Sequence, residues 1–185
     1  MKQDKFYDYS RFDDERLKLI MTGWDGLIDN HGRVVKFCAE LLEGESVLDV
    51  GCGLCHLYEA LKGRVSKYVG VDIDERALGW ARERYPGLEL HYTSVYDLSL
   101  LGDRVFDTVY AIGLYRIPRQ LNGIEEMLNH TRHSLVLTYF HHSDSKPKSF
   151  PDVFWVVLNH ERVKSFEVFS QSDRRTEIMR FNLST

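Results

Sequence analysis

The stretch Ser46-Val-Leu-Asp-Val-Gly-Cys-Gly-Leu-Cys-His56 is where residue types and spacing first point to chemistry. Val47, Leu48 and Val50 read as a buried strand, and such a strand makes Asp49 near its end costly unless something binds there. Gly51 and Gly53 have no Cβ, so the backbone can turn sharply and a ligand can approach it closely. Leu54, Leu57 and Leu61 follow at helical spacing, and the opening N–H groups of a helix would face that ligand. These features describe a nucleotide-type site at the carboxyl end of a first strand. The dinucleotide fingerprint is Gly-x-Gly-x-x-Gly. Its third position here is His56, whose ring obstructs the close helix–strand packing that fingerprint needs.

A second carboxylate, Asp72, ends the short apolar run Lys67-Tyr-Val-Gly-Val-Asp72. A carboxylate at this distance from a glycine turn can accept both hydroxyls of a ribose through charge-assisted hydrogen bonds. The bland alternative is a strand-end cap. Cys52 and Cys55 spell Cys-x-x-Cys, but no second pair of ligands follows, so no zinc is expected and small side chains filling the turn account for them. A metal pair within His141-His142-Ser-Asp144 is disfavoured, because adjacent residues at a strand exit commonly point to opposite sides.

With Asp49 two residues before Gly51, the string Leu-Asp-Val-Gly-Cys-Gly resembles the first motif of the class I S-adenosylmethionine-dependent methyltransferases. The resemblance covers roughly residues 31–185. It implies S-adenosylmethionine as cofactor and S-adenosylhomocysteine as product. By that resemblance Asp49 acts on the cofactor's amino group, directly or through water and the Gly51-Cys52-Gly53 turn. Asp72 holds the ribose, and Ile73 packs on the adenine. The family has an acid at the end of the third strand for adenine, and this sequence departs from it. The position falls at Ser94 or Val95, while Asp97 is either an adenine contact or a turn residue before Leu98. Ala111, Ile112 and Gly113 occupy the place where the family lines the methionine portion.

The elements that must position these residues follow in order. Val34/Val35, Cys38 and Leu41/Leu42 mark a helix over 31–42, stopped by Gly44. After the first two strands comes a helix from Glu75 to Tyr85, capped by Asp74 and ended by Pro86-Gly87. Leu88–Tyr92 and Phe106–Ala111 are strands, Leu121, Ile124 and Leu128 mark a helix, and Ser134–Phe140 is a fifth strand. A helix from Pro151 to about Val163 precedes two strands, 165–170 and 176–183, that form a hairpin. Strands alternating with helices imply a doubly wound, mostly parallel sheet. The family resemblance implies seven strands, helices on both faces and this C-terminal antiparallel hairpin. Residues 1–30, with Phe6, Tyr7, Tyr9, Phe12 and Trp24, form a separate N-terminal segment. It is either an aromatic surface helix docked on the domain or, as in related methyltransferases, a lid bearing Tyr7 and Tyr9.

Composition narrows the acceptor. The chain has 185 residues, one domain's worth, with a formal net charge of −4, which offers nucleic acid no broad attraction. No apolar run reaches a membrane span, no secretory signal is expected, and three cysteines make no disulfide framework, so cytoplasm is the default. Methyl transfer to an activated sulfonium needs alignment first and a general base only if the acceptor arrives protonated. The residues near the open end of the sheet are Tyr115, Arg116, Tyr139, His141, His142 and Asp144. Of these, His141, His142, Tyr115 and Tyr139 are the candidate catalytic groups, the histidines because they titrate near neutral pH. Ile112-Gly113-Leu114-Tyr115 lacks the Pro-Pro of adenine-N6 and glutamine enzymes and the Pro-Cys of cytosine-C5 enzymes, and Ala111-Ile112 lacks the Asp of metal-dependent catechol-type enzymes. The expected activity is therefore methyl transfer to nitrogen or oxygen of a small molecule. Alternatives are a minimal RNA or protein methyltransferase, with Arg116, Arg119, Arg132, Lys146 and Lys148 gathered on one face, and a non-catalytic cofactor-binding subunit. A nicotinamide enzyme is weakened by His56.

Overall fold

The computed structural model describes residues 13–15, 28–113, 121–140, 157–170 and 176–184. Helix α1 (Ile28–Glu40) leads into β1 (Ser46–Val50), followed by α2 (His56–Leu61), β2 (Lys67–Asp72), α3 (Glu75–Arg84) and β3 (Glu89–Tyr92). A 3-10 turn at Ser99–Leu101 precedes β4 (Phe106–Ala111), α4 (Leu121–Asn129), β5 (Thr131–Phe140), β6 (Val163–Ser170) and β7 (Thr176–Leu183). The strands make one sheet in the order β3-β2-β1-β4-β5-β7-β6. The first five are parallel, and β7 pairs antiparallel with both β5 and β6. This is the seven-stranded, Rossmann-like architecture the sequence implies.

Each face of the sheet carries its own core. Leu48 and Val50 of β1 pack with Val109, Leu135, Ile124 and Met127, whereas Val47 packs on the other side with Cys38, Leu57, Leu61 and Tyr110. α1, α2 and α3 cover this second face, and α4 covers the first. Strand β7 shows why the hairpin is two-faced: Met179, Phe181 and Leu183 enter one core and Ile178 the other. A strand buried on both sides needs apolar residues in both phases.

The boundaries differ from the sequence reading in a few places. α1 begins at Ile28 and stops at Glu40, because Leu41 already turns back on the carbonyl of Cys38. β5 starts at Thr131 rather than Ser134, and β6 at Val163 rather than at 165. The expected helix running to Val163 is helical at 157–158 and then turns. His160 N–H donates to Val157 O at 3.1 Å and Val163 N–H to His160 O at 2.9 Å. The rest of that helix, and the N-terminal segment apart from residues 13–15 and 28–30, lie outside the described residues.

The amino edge of the sheet is held by Asp107. Its Oδ2 accepts the N–H groups of Glu45 and Ser46, each at 3.0 Å, and Arg132 Nη1 donates to Oδ1 at 2.6 Å. Burial alone would raise this carboxyl, but those hydrogen bonds hold it at about 2. Gly44 does more than stop a helix. Its φ is +71°, and a Cβ there would sit 2.5 Å from the Asp107 side chain. Among the described residues no helix is long and apolar enough to cross a membrane.

Candidate functional site

In the strand order, the chain winds from β1 outward through β2 and β3, then returns to β4 on the other side of β1. Ligands of open α/β sheets bind at the carboxyl ends of the strands beside such a reversal. The turn after β1 lies there, and its geometry is built locally. Gly51, Gly53 and Cys55 have φ of 74°, 49° and 58°, so alternate residues are left-handed. Cys55, the N-cap of α2, is the only described non-glycine residue with positive φ. A left-handed non-glycine residue costs of order 1 kcal/mol and tends to persist where function holds it.

The amides of this turn are engaged within the protein. Gly51 and Cys52 N–H both donate to Val71 O, at 2.8 and 3.1 Å, and Cys55 N–H donates to Cys52 O at 2.8 Å. Gly53 N–H donates to Asp72 Oδ2 at 2.7 Å. The expectation that the glycine turn itself presents N–H groups to a ligand therefore shifts to the opening amides of α2, which have no intrahelical acceptor. α2 has only six residues, so its contribution is local.

Asp72 stands at the centre of the rim. Its Oδ1 accepts Asp74 N–H at 2.8 Å, complementing the Gly53 bond to Oδ2. Burial pushes its pKa up, and backbone hydrogen bonds from Asp74, Gly53 and Ile73 pull against that. A carboxylate has about four lone-pair sites, so acceptor capacity remains for a ribose hydroxyl. Ile73 beside it is 40% exposed, an apolar surface left open where a flat ring could lie. This part of the site fits an adenosine moiety.

Asp49 has a different environment. It is buried in the layer between the sheet and α1, paired across strands with Gly70 and Tyr110. Tyr68 Oη donates to its Oδ2 at 2.5 Å. Burial raises its pKa to about 7, with the Tyr68 hydrogen bond opposing and the Asp72 charge adding to the rise. The Cys52 thiol, which bonds Cys55 and is buried, is also raised well above its ordinary range.

Residues after β3 form a self-bonded loop. Thr93 N–H donates to Asp72 O at 3.0 Å, Ser94 Oγ accepts Tyr96 N–H at 3.3 Å, and Val95 is buried against α4. Asp97 accepts the N–H and hydroxyl of Ser99 at 3.3 and 2.6 Å, so its carboxylate is used in the 3-10 turn. At the end of β4, Ile112 is buried and Gly113 N–H donates to Thr138 Oγ1 at 2.7 Å, tying this exit to β5. The candidates Tyr7, Tyr115, His141 and His142 lie outside the described residues, as do Arg116 and Asp144. Tyr139 is placed in β5 at its carboxyl end. Among the described residues no cluster of metal-ligating side chains occurs.

Sequence reasoning missed Gly70. It lies mid-strand in β2, and a Cβ there would meet Cys52 Sγ at 2.8 Å and Leu90 Cδ2 at 2.7 Å. A glycine inside an otherwise β-branched strand signals close approach, and here the approaching group is Cys52 of the glycine turn. Gly70→Val is expected to displace Cys52, weaken cofactor binding by at least tenfold and lower stability by about 2 kcal/mol. Titration and denaturation of the variant check this, and near wild-type affinity would count against it. Tyr68, the partner of Asp49, was also missed, since a tyrosine in a strand carries no spacing signal.

The sheet thus carries a glycine turn and the Asp72 carboxylate at its reversal, the place where open α/β sheets take nucleotide-type ligands. Residues 47–136 match a family model described as a methyltransferase domain, and the fold is shared with solved methyltransferases. Magnesium protoporphyrin IX methyltransferase from Synechocystis, solved with S-adenosylmethionine, superposes with a TM-score of 0.72 at 18% identity, covering 96% of this chain and 94% of that one. An N-methyltransferase from Bradyrhizobium japonicum gives 0.64 at 16% identity, over 87% of this chain and 99% of that one. An rRNA methylase from Streptococcus thermophilus gives 0.60 at 18%, over 83% and 95%. No curated protein sequence matches the chain.

Proposed function

We propose that this chain is a class I S-adenosylmethionine-dependent methyltransferase that moves a methyl group to a nitrogen or oxygen of a small molecule by in-line displacement, within a catalytic domain spanning residues 31–185. The observation that carries the cofactor part is Asp72, oriented at the strand end by Gly53 and Asp74 with acceptor capacity left over. In this reading Asp72 takes the ribose diol, Ile73 the adenine face, the Ser94–Val95 backbone the adenine edge, and Gly51–Gly53 with Ile112 the methionine end. Asp49, buried and bonded by Tyr68, acts on the cofactor's amino group through water and the glycine turn. The bound cofactor supplies an activated methyl on a sulfonium. The chain's own residues align the acceptor and exclude water, and proximity of this kind accounts for several kcal/mol of a barrier. Tyr139, at the carboxyl end of β5, and the sequence candidates His141, His142 and Tyr115 are the groups proposed to meet the acceptor.

The charge pattern favours a small acceptor over RNA. Of the five cations an RNA-binding face would gather, Arg132 is the described one, and it pairs with Asp107 at the amino edge of the sheet, away from the cofactor turn. Arg104 and Arg180 are likewise paired, with Glu89 and Glu167. Three free thiols suit a reducing compartment, the cytoplasm.

The test is calorimetric titration with S-adenosylhomocysteine and NAD, followed by transfer of labelled methyl from S-adenosylmethionine to a panel of small amines, small hydroxyl compounds, RNA and protein. Binding of the adenosyl ligand with labelling of a small amine or hydroxyl compound is expected. Labelling of RNA or protein alone would overturn the acceptor assignment, and binding with no labelling of any class would favour a non-catalytic subunit.

A further inference from the structure

We infer that Tyr68 is a positioning residue that holds the buried Asp49 carboxyl for the cofactor's ammonium group and ties binding of that group to loss of the Asp49 proton, an inference that rests on the cofactor reading above. Asp49 and Gly70 stand opposite each other in the β1–β2 pair, and Tyr68 lies two residues back on the Gly70 face of β2. Gly70 contributes no side chain, so the Tyr68 phenol reaches along the strand, and its Oη donates to Asp49 Oδ2 at 2.5 Å. Cys52 of the glycine turn fills the rest of that space, its Sγ 2.8 Å from where a Gly70 Cβ would stand. The Asp49 carboxyl, the Tyr68 hydroxyl and the turn are therefore neighbours. The Tyr68 ring is fixed by an edge contact with Tyr58 at 5.1 Å, and Tyr58 by a like contact with Tyr85 at 5.1 Å. Tyr85 Oη donates to Glu59 Oε2 at 2.6 Å, which anchors the row on α2. This row places one donor on Oδ2, and among the described residues Oδ1 accepts no hydrogen bond. That oxygen is left for the ligand.

The charges around Asp49 decide what it can bind. The titratable groups that act on it or feel it are Tyr68 and Asp72 of β2, Cys38 of α1, Cys52 of the turn and Tyr110 of β4. None of these is a cation. Arg64 and Arg180 act on Tyr110 and not on Asp49, and they are paired with Glu40 and Glu167. Tyr68 stays a neutral donor, because burial pushes its phenol well above its ordinary range. Burial likewise raises Asp49 to about 7, and the Tyr68 hydrogen bond, which favours the ionised form, pulls the other way. A buried carboxylate needs a positive partner. The one that S-adenosylmethionine and its product both carry is the ammonium of the amino-acid end. The ligand therefore binds the ionised form better, and by linkage its binding drives the Asp49 proton into solvent. Asp72 is raised too, but it faces the ribose, which a ligand without the amino-acid end also carries.

Calorimetry on the full chain at pH 6, 7 and 8 tests this, with S-adenosylhomocysteine and with 5′-methylthioadenosine, which keeps the adenosine and lacks the amino-acid end. S-adenosylhomocysteine is expected to bind about tenfold more weakly at pH 6 than at pH 8 and to release close to one proton at pH 6. 5′-Methylthioadenosine should bind alike throughout. Tyr68→Phe keeps the ring and removes the donor, so the midpoint of the S-adenosylhomocysteine profile should rise by about one pH unit. That variant then binds about fivefold more weakly than the wild type at pH 7 and within about twofold of it at pH 8. Asp49→Asn should flatten the profile. An equal loss at all three pH values in Tyr68→Phe would make the tyrosine merely structural and overturn the inference. So would a flat wild-type profile, a profile that survives Asp49→Asn, or a tenfold fall shared by 5′-methylthioadenosine, which would move the titration to Asp72. Binding of neither ligand at any pH would instead sink the cofactor reading, and the inference with it.

Discussion

Asp72→Ala is expected to reduce S-adenosylhomocysteine affinity by about 100-fold or more. The estimate follows from two charge-assisted hydrogen bonds to a ribose diol, each contributing roughly 1.5–3 kcal/mol. The substitution also strips the partners from Gly53 and Asp74 N–H, so the glycine turn and the first turn of α3 loosen together. Asp72→Asn separates the two effects. Its amide oxygen accepts one backbone N–H, while the negative charge and half the acceptor capacity are lost. Affinity should fall nearly as far as in the alanine variant, with most of the thermal stability kept. Calorimetry and denaturation on both variants read this directly. If the asparagine variant binds at wild-type strength, Asp72 is a structural cap and the ribose lies elsewhere.

Asp49→Asn should change the pH dependence of stability more than any other single substitution in the described residues. Burial raises the folded-state value from the ordinary 3.8 to about 7. The folded chain thus holds a proton that the unfolded chain has released. Stability is full below about pH 4, falls as pH rises, and levels off above about pH 7. At about 1.4 kcal/mol per pH unit the loss is of order 4 kcal/mol. Asp72 is shifted in the same direction. Glu89 and Asp107 are both lowered to about 2, so they act only in the acid range, where their stabilisation disappears as pH falls. Asparagine at position 49 still accepts from Tyr68 and carries no charge. The variant should match the wild type at pH 4 and be more stable at pH 8, as urea denaturation at the two values would show. A variant less stable than the wild type at pH 8 would mean that the ionised carboxylate is needed where it is.

Much of the architecture was legible because its signals are local. The apolar strands, the Gly51–Gly53 turn, the Asp74 cap and the Pro86-Gly87 stop each announce themselves over a few residues, and alternation of strand and helix then fixes a parallel sheet. The switch in phase between Ile178 and Met179 is a sequence feature that the two cores explain. What stayed hidden depends on partners distant in sequence. Gly70 matters through Cys52, Gly44 through Asp107, and Asp49 through Tyr68, and no spacing rule connects those pairs. Cys55 was read as filler, yet its backbone takes the left-handed conformation that Gly51 and Gly53 take before it. Strand ends were misjudged where polar residues such as Thr131, Arg132 and His133 extend the ladder of β5. In these cases hydrogen bonding to a neighbouring strand outweighs composition.

The placement of β7 has a consequence for biosynthesis. β5 borders β7 in the sheet, and β7 is made only after β6, which then lies outside it. As the polypeptide emerges from the ribosome, residues 131–140 present an open, apolar strand edge until residue 183 has appeared. An edge of that kind is a template for pairing with another nascent chain. Slowed translation between β5 and β7 should therefore lower the yield of correctly folded protein, even though the finished molecule keeps that edge wholly inside its sheet.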